Sequence, residues 1–330
     1  MAQPAQIFLR HTPTTTPASQ SLLIFFITGN PGTIGYYRAT LEQISTSLAE
    51  SSLGQNSNIH VFGSSLVGFD EHEGVPPPIS AHASSGPLSL RAQILYVKHT
   101  LLTATRQITA EDHGRAPLVI LVGHSIGAYI LLEIISDLQP PRGQISLEDI
   151  DLKIASGICL FPTVVDIAKS STGRTMALIT GMEPASAKTT AQFLHSPNGV
   201  HQALFLAADE MRSVTSDRWN DGLWGLDADE ATSAKLPELA TAAQTRTKLF
   251  FYWGENDHWV ADSTRDTLIM QRGRNVESAQ KEDRKPVMEI DQHGVPHAFP
   301  VKQAHGRIVA NKVVEWTLQI TKQHPPKQAS

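Results

Sequence analysis

Short apolar runs alternate with helical patterns along most of this chain. The runs are bounded by turn residues and are short enough to be strands buried within a sheet. They lie at residues 22–27, 59–62, 119–122, 154–161, 249–253 and 287–290. Between them, apolar residues recur every three or four positions, in patterns that begin near Ile34 or Gly35, near Ser89, after Ser125 and near Val309. This alternation predicts an α/β fold with a mostly parallel, doubly wound sheet.

The pattern changes between residues 166 and 246, where no strand-like run occurs. A helical pattern from Val200 to Met211 is followed by Trp219 and Trp224 in a turn rich in Gly and Asp. We interpret this region as a helical cap inserted between two strands, with its Met and Trp residues used for packing. The predicted units are a core of about residues 20–165 and 246–322, a cap of about residues 166–245, an edge hairpin or loose arm at residues 7–21, and a disordered tail at residues 323–330.

Composition narrows the class of protein. The chain has 330 residues, of which 41% are hydrophobic and 18% charged, so one large α/β domain can bury a sizeable core. A formal net charge of −5 without a long basic run argues against a nucleic-acid partner. The single cysteine, Cys159, lies in an apolar run and favours a reducing compartment. We also expect no signal peptide, because the first residues lack a charged stretch followed by an apolar one, and no lipidation signal. No transmembrane segment is expected, since no apolar run approaches about 18 residues.

The segment Gly123-His124-Ser125-Ile126-Gly127 stands between a predicted strand and a predicted helix. In that context the G-x-S-x-G pattern indicates a nucleophile elbow, with Ser125 as the nucleophile. Gly123 and Gly127 would remove side chains that collide with the sharp turn. The N–H of Ile126, the residue after the nucleophile, is a predicted donor to an oxyanion. The alternative is an ordinary turn between a strand and a helix that contains a serine.

A glycine-containing loop follows the first apolar run. It reads Thr28-Gly29-Asn30-Pro31-Gly32, which matches neither a dinucleotide-binding fingerprint nor a Walker motif. A serine hydrolase of this kind needs a second backbone donor from the loop after an early strand. Because Pro31 lacks an N–H, that donor should be Asn30 or a neighbour. A simple tight turn is the alternative.

The acid and the base are expected after the serine, in loops at the carboxyl ends of later strands. Asp257 follows the run that ends at Trp253, and His297 follows the run that ends near Ile290. His297 would accept the Ser125 proton, and Asp257 would orient the imidazole and stabilise its charged form.

Other residues compete for these two roles. The alternatives are Glu255 or Asp166 for the acid and His293 for the base. His124 is expected to project away from the elbow, and His258 to be structural or exposed. No H-E-x-x-H or Cys/His ligand spacing occurs, so we predict neither a metal nor a cofactor.

Several motifs, taken in order, resemble the lipid droplet-associated hydrolases over about residues 21–320. They are Phe26-Ile27-Thr28-Gly29-Asn30-Pro31-Gly32 with Tyr36-Tyr37, Leu90-Arg91-Ala92-Gln93-Ile94 with Lys98-His99, Gly123-His124-Ser125-Ile126-Gly127-Ala128-Tyr129, Leu160-Phe161-Pro162-Thr163, Tyr252-Trp253-Gly254 with Asp257 and Trp259, and Pro296-His297-Ala298-Phe299. The resemblance implies an α/β-hydrolase fold with a triad of Ser125, Asp257 and His297. It also implies neutral lipid esters, either sterol esters or triacylglycerols, as substrates.

The same resemblance implies residence on lipid droplets and the cytosolic face of the endoplasmic reticulum, with peripheral contact to the droplet monolayer. The chain departs from the family in the cap, where members usually carry a strongly apolar helical segment. Here residues 166–182 contain only Thr175-Met176-Ala177-Leu178-Ile179 as an apolar patch. Either the gene model is truncated there, or the cap contacts droplets through Trp219 and Trp224. If the shortened cap binds no lipid, a soluble cytosolic protein is expected.

Three functions fit this sequence. The first is a serine ester hydrolase of the lipase and esterase class that acts on lipid esters through an acyl-enzyme. The second is a weakly active or inactive hydrolase-fold droplet protein that binds lipid or recruits partners. The third is acyl transfer to an alcohol other than water, which would use the same residues.

Overall fold

One seven-stranded sheet organises the chain in this computed structural model, which describes residues 5–14, 18–69, 86–138, 152–165, 183–196, 198–226, 247–274 and 284–325. The strands are β1 Gln6–His11, β2 Gln20–Ile27, β3 Ser57–Ser64, β4 Leu118–His124, β5 Lys153–Leu160, β6 Lys248–Trp253 and β7 Val287–Ile290. Their spatial order is β1-β3-β2-β4-β5-β6-β7. Only the pairing of β1 with β3 is antiparallel. The predicted α/β fold with a mostly parallel sheet is therefore confirmed.

The central strands β2 and β4 are mostly apolar because both faces of the sheet are covered. Leu23 and Phe25 of β2 join one hydrophobic cluster, whereas Ile24 and Phe26 join the other. Successive side chains of a strand point to opposite faces, so in a strand buried on both faces the side chains on both faces are mostly apolar.

The described helices are α1 Arg38–Glu50, α2 Leu90–Glu111, α3 Ile126–Leu138, α4 Pro184–His195, α5 Gly199–Ser213, α6 Asp262–Arg272 and α7 Gln303–Gln323. Apolar residues of α1 and α7 pack in the cluster on one face of the sheet, and those of α2 and α3 pack in the cluster on the other face. The Ser89 hydroxyl accepts a hydrogen bond from Ala92 N at 3.3 Å, so the predicted start of α2 is confirmed.

Local structure departs from the predictions in three places. The first helical pattern starts at Ile34, within the predicted bounds, but as a 3-10 turn that becomes α-helical only at Arg38. The β1 strand does lie at the sheet edge, but it pairs with β3 and forms no hairpin with β2. Helix α6 was not predicted, because only Arg265 and Leu268 of its residues are buried and it shows no apolar stripe.

Trp219 and Trp224 are buried, which contradicts the hypothesis that they contact a droplet. The Trp219 indole N–H donates to Glu133 Oε1 at 2.8 Å, and the Trp224 ring stacks on Phe251 with centroids 5.8 Å apart. Both side chains therefore pack on the core, as the packing interpretation predicts. The patch at residues 175–179, most of the predicted tail and part of the predicted cap lie outside the described residues.

Candidate active site

Ser125 occupies a sharp turn between β4, which ends at His124, and α3, which begins at Ile126. Its φ of 55° lies in the left-handed region, which is unfavourable for a residue with a side chain. The turn is held by a hydrogen bond from Ser125 N to Leu160 O at 3.0 Å. A Cβ on Gly127 would lie 2.5 Å from Ile27 O, and a Cβ on Gly123 would meet the Gly127 carbonyl, so neither position can carry a side chain without backbone movement.

The three side chains indicated by the sequence form one hydrogen-bonded chain. His297 Nε2 lies 2.9 Å from Ser125 Oγ, and His297 Nδ1 lies 2.8 Å from Asp257 Oδ2. An ionised carboxylate only accepts hydrogen bonds, so Nδ1 carries the proton and Nε2 is free to accept the serine proton. The Asp257 and His297 side chains are only 4% and 12% exposed, which strengthens their interaction by excluding water.

The loop that carries Asp257 follows β6 and is held by a residue of α6. Arg265 Nη1 donates to Gly254 O at 3.0 Å and to Glu255 O at 2.9 Å. The second carboxylate oxygen of Asp257 accepts the Trp259 N–H at 2.8 Å. These contacts orient Asp257 toward His297.

The loop that carries His297 follows β7 and is held by a residue that sequence reasoning missed. Asp291 is fully buried and accepts hydrogen bonds from the Tyr252 hydroxyl at 2.5 Å and from Val295 N at 2.7 Å. Burial and the Asp291 contact raise the pKa of Tyr252 above its ordinary value, so this hydroxyl stays a donor. An aspartate directly after a short strand was the available signal.

The rival residues do not reach the serine. Glu255, His258 and His293 are exposed, and none of their side chains forms a hydrogen bond or ion pair with Ser125 or His297 within the described chain. Asp166 lies outside the described residues.

The His124 side chain forms no hydrogen bond with Ser125 in the described chain, but it has two other partners. Its Nδ1 lies 2.8 Å from the Tyr37 hydroxyl and its Nε2 lies 3.0 Å from the His297 carbonyl. Sequence reasoning gave no indication of these contacts, which join residues far apart in the chain.

The two predicted oxyanion donors, the backbone N–H groups of Ile126 and Asn30, have no hydrogen-bond acceptor in the described chain. Ile126 is the first residue of α3, and the opening N–H groups of a helix have no intrahelical partner. The Asn30 N–H has no acceptor among the described residues either. The neighbouring Gly29 N–H is already bonded to the Tyr37 hydroxyl at 3.0 Å, so Asn30 is the better donor of the two.

No group of three or more potential metal-binding side chains converges within the described residues. In the same part of the chain, every helix is too short or too polar to cross a bilayer.

Comparison with known proteins agrees with this fold. The family described as lipid-droplet associated hydrolase matches residues 20–183 and 175–300. A protein named lipid droplet-associated hydrolase from Gallus gallus is 24% identical over 270 residues, covering 76% of this chain and 74% of that protein.

Solved structures extend the comparison to the whole chain. The siderophore hydrolase EstB from Aspergillus fumigatus is 16% identical with a TM-score of 0.51, covering 97% of this chain and 96% of its own. The peroxisomal α/β-hydrolase Lpx1 from Saccharomyces cerevisiae is 12% identical with a TM-score of 0.53, covering 98% and 89%. A soluble variant of monoglyceride lipase from Saccharomyces cerevisiae is 12% identical with a TM-score of 0.51, covering 96% and 92%. At these identities the similarity shows the α/β-hydrolase fold alone.

Proposed function

This chain belongs to the lipid-droplet associated hydrolase family, and on that premise we propose that it is a serine ester hydrolase acting on neutral lipid esters. The observation that carries the proposal is the chain of hydrogen bonds from Ser125 through His297 to Asp257, at 2.9 and 2.8 Å. A serine hydroxyl is a poor nucleophile until a base removes its proton, and this geometry supports His297 as that base and Asp257 as the acid that orients it.

The reaction proceeds through an acyl-enzyme. Ser125 Oγ attacks the ester carbonyl while His297 Nε2 takes its proton, and the imidazolium formed is stabilised by Asp257. His297 then donates that proton to the departing alcohol. Water, deprotonated by the same histidine, attacks the acyl-enzyme and releases the acid.

The oxyanion of each tetrahedral intermediate is stabilised by the backbone N–H groups of Ile126 and Asn30. The helix α3 starts at this point, so its dipole also favours negative charge there. Loss of one such donor commonly costs about 10²–10³ in kcat, which makes these two groups a major part of the expected catalysis.

Sterol esters or triacylglycerols are the proposed substrates, in keeping with the family to which the chain belongs. We place the protein at the surface of lipid droplets, with the endoplasmic reticulum as a second site, through peripheral contact. The exposed apolar side chains of α5 support such contact, because Val200, Leu204 and Met211 recur at helical spacing on its outer face.

A fluorophosphonate probe tests the nucleophile. The wild type and a Ser52→Ala control, whose substituted side chain is exposed, should be labelled and should hydrolyse an emulsified triacylglycerol or sterol ester. Ser125→Ala should lose labelling and at least about 10³-fold in kcat, while keeping the wild-type melting temperature. Undiminished hydrolysis by Ser125→Ala would refute the proposal. Products formed with an added alcohol would separate hydrolysis from acyl transfer.

A further inference from the structure

A second chain of hydrogen bonds lies behind the Ser125–His297 contact. The Gly29 N–H donates to the Tyr37 hydroxyl at 3.0 Å, and that hydroxyl lies 2.8 Å from His124 Nδ1. The opposite ring nitrogen, Nε2, lies 3.0 Å from the His297 carbonyl oxygen. One end of this chain is therefore the loop that carries Asn30, and the other end is the backbone of the residue that serves as base.

The two ends fix the position of every proton between them. A backbone N–H can only donate, so the Tyr37 oxygen accepts from Gly29. A backbone carbonyl can only accept, so His124 carries a proton on Nε2. The Tyr37 hydroxyl is then the donor to a bare His124 Nδ1. All three hydrogen bonds run in one direction, and they require a neutral His124.

The surroundings of the two side chains support this neutral state. Tyr37 and His124 are 3% and 4% exposed, and the His124 ring packs edge-on against Phe161 and Phe299 at centroid distances of 6.2 and 4.9 Å. Burial, followed by the nearby His297 ring, lowers the pKa of His124 well below its ordinary value. A protonated His124 would also turn Nδ1 into a donor and leave the Tyr37 hydroxyl proton buried without an acceptor.

We propose that Tyr37 and His124 are positioning residues that fix the Gly29–Asn30 loop and the His297 backbone relative to each other, on the two sides of Ser125. This inference rests on the proposed function. It adds that the positions of the proposed oxyanion donor and the base are linked. The hydrogen-bonded side chains of Tyr37 and His124, called the relay below, connect them. The neutral imidazole at a centroid distance of 4.9 Å from the His297 ring also adds no positive charge where the imidazolium must form.

Close packing explains why the relay ends on a glycine. A Cβ on Gly29 would lie 2.9 Å from His124 Nδ1 and 3.0 Å from Ser125 Cβ. The absence of a side chain lets the loop backbone approach both the relay and the nucleophile. Asn30 follows directly in the chain.

The kinetic test compares two tyrosines that are adjacent in sequence. Tyr37→Phe keeps the ring but removes the hydroxyl, so both of its hydrogen bonds are lost. Tyr36→Phe is the matched control, since it removes a hydroxyl that bonds Thr190 Oγ1 at 2.9 Å outside the relay. For a soluble short-chain ester we expect kcat of Tyr37→Phe to fall about 10- to 100-fold with KM within about twofold, because misplacement of reacting groups acts mainly on the chemical step. Tyr36→Phe should match the wild type.

The spectroscopic test reads the tautomer of His124 directly. In protein with ¹⁵N-labelled histidine, the His124 signals are identified by their loss in His124→Gln. They should report one neutral ring, protonated on Nε2 and bare on Nδ1, that does not titrate between pH 5.5 and 8.5 (about the range accessible to an ordinary histidine). In Tyr37→Phe the Nδ1 resonance should shift, since its hydrogen-bond donor is gone.

These results separate the relay from the proposed function. Wild-type turnover by a folded Tyr37→Phe, or a His124 ring that titrates or carries its proton on Nδ1, would overturn the relay and leave the hydrolase proposal standing. Turnover that survives Ser125→Ala would overturn the hydrolase proposal, and with it the positioning role. A slow Tyr37→Phe together with a fixed Nε2–H tautomer would support both.

Discussion

The side-chain amide of Asn30 donates a hydrogen bond to Glu210 Oε1 at 3.1 Å and thereby joins the loop after β2 to helix α5. The same amide donates to Ala203 O at 3.0 Å, so both of its protons are used on one helix. Glu210 is buried and has no Lys, Arg or His partner within the described residues. The proposed oxyanion loop is thus fastened to a carboxyl group that is itself isolated from compensating charge.

Stability should fall as this carboxyl ionises. Burial raises the pKa of Glu210 from its ordinary value to about 8, and the Asn30 contact only partly opposes the shift. Between the unfolded pKa of about 4.5 and the folded value, the folded state binds more protons, so the free energy of unfolding decreases as pH rises through that window, by at most about 1.4 kcal/mol per pH unit. Glu210→Gln should abolish this component and raise the melting temperature at pH 8.5 relative to the wild type.

The control for this prediction is Glu50→Gln, which changes an exposed carboxyl on α1. It should leave the pH dependence of the melting temperature unchanged. Identical melting curves for the wild type and Glu210→Gln at both pH 5.5 and pH 8.5 would contradict a buried, isolated carboxyl.

Local patterns predicted most of the sheet but little of what joins its loops. The buried strands of the sheet could be predicted because a strand covered on both faces is mostly apolar, as β2 and β4 are. Helix α6 could not be predicted in this way, since it contacts the rest of the molecule through Arg265, which donates to backbone carbonyls, and has no apolar stripe. The Asn30–Glu210 contact joins residues 180 positions apart, and no short-range pattern encodes it.

Replacing a carboxylate by its amide at Asp257 and, separately, at Glu255 tests which of the two residues acts as the acid of the proposed triad. In Asp257→Asn the amide group faces His297 Nδ1 and favours the wrong tautomer, so kcat should fall about 10³- to 10⁴-fold with little change in unfolding. Glu255→Gln alters an exposed side chain in the same loop and should retain turnover. Ester hydrolysis at saturating substrate measures both. Equal losses in the two variants would indicate damage to the loop rather than loss of the acid.

The chemistry-bearing residues were more predictable than their supports. The G-x-S-x-G pattern indicated Ser125, and chain order and strand ends indicated Asp257 and His297. The structure brings these side chains within hydrogen-bonding distance, and their catalytic roles stay predictions. The roles of Asp291 and Tyr37 were missed because they depend on which groups each side chain meets in the fold, although Tyr37 lies in a family motif and Asp291 directly follows a strand.

Asp291 should be needed for both stability and turnover. Its buried carboxylate accepts two backbone N–H groups and the Tyr252 hydroxyl. In Asp291→Asn the amide protons replace an acceptor, and we expect a loss of about 1–3 kcal/mol in the free energy of unfolding. The loop that carries His297 should loosen, so kcat should fall as well. Urea unfolding and ester hydrolysis measure the two effects.

Tyr252→Phe provides a graded comparison, because it removes one hydrogen bond and leaves the two backbone contacts of Asp291 intact. A smaller loss of stability than in Asp291→Asn is expected. If Asp291→Asn unfolded at the wild-type urea concentration, the carboxylate would not be the support of this loop.

Paired substitutions on the outside and inside of the molecule test where it meets lipid. Leu204 is 67% exposed on α5, whereas Trp219 is 6% exposed and bonded to Glu133. Leu204→Ser should keep the melting temperature but weaken flotation with triacylglycerol droplets coated in phosphatidylcholine, because less apolar area is buried at the surface. Trp219→Phe should do the reverse: it should lose about 1–2 kcal/mol of stability with its hydrogen bond, and bind droplets like the wild type. Weaker flotation of a fully stable Trp219→Phe would restore the tryptophan as the lipid contact, and unchanged flotation of Leu204→Ser would remove Leu204 from the proposed contact face of α5.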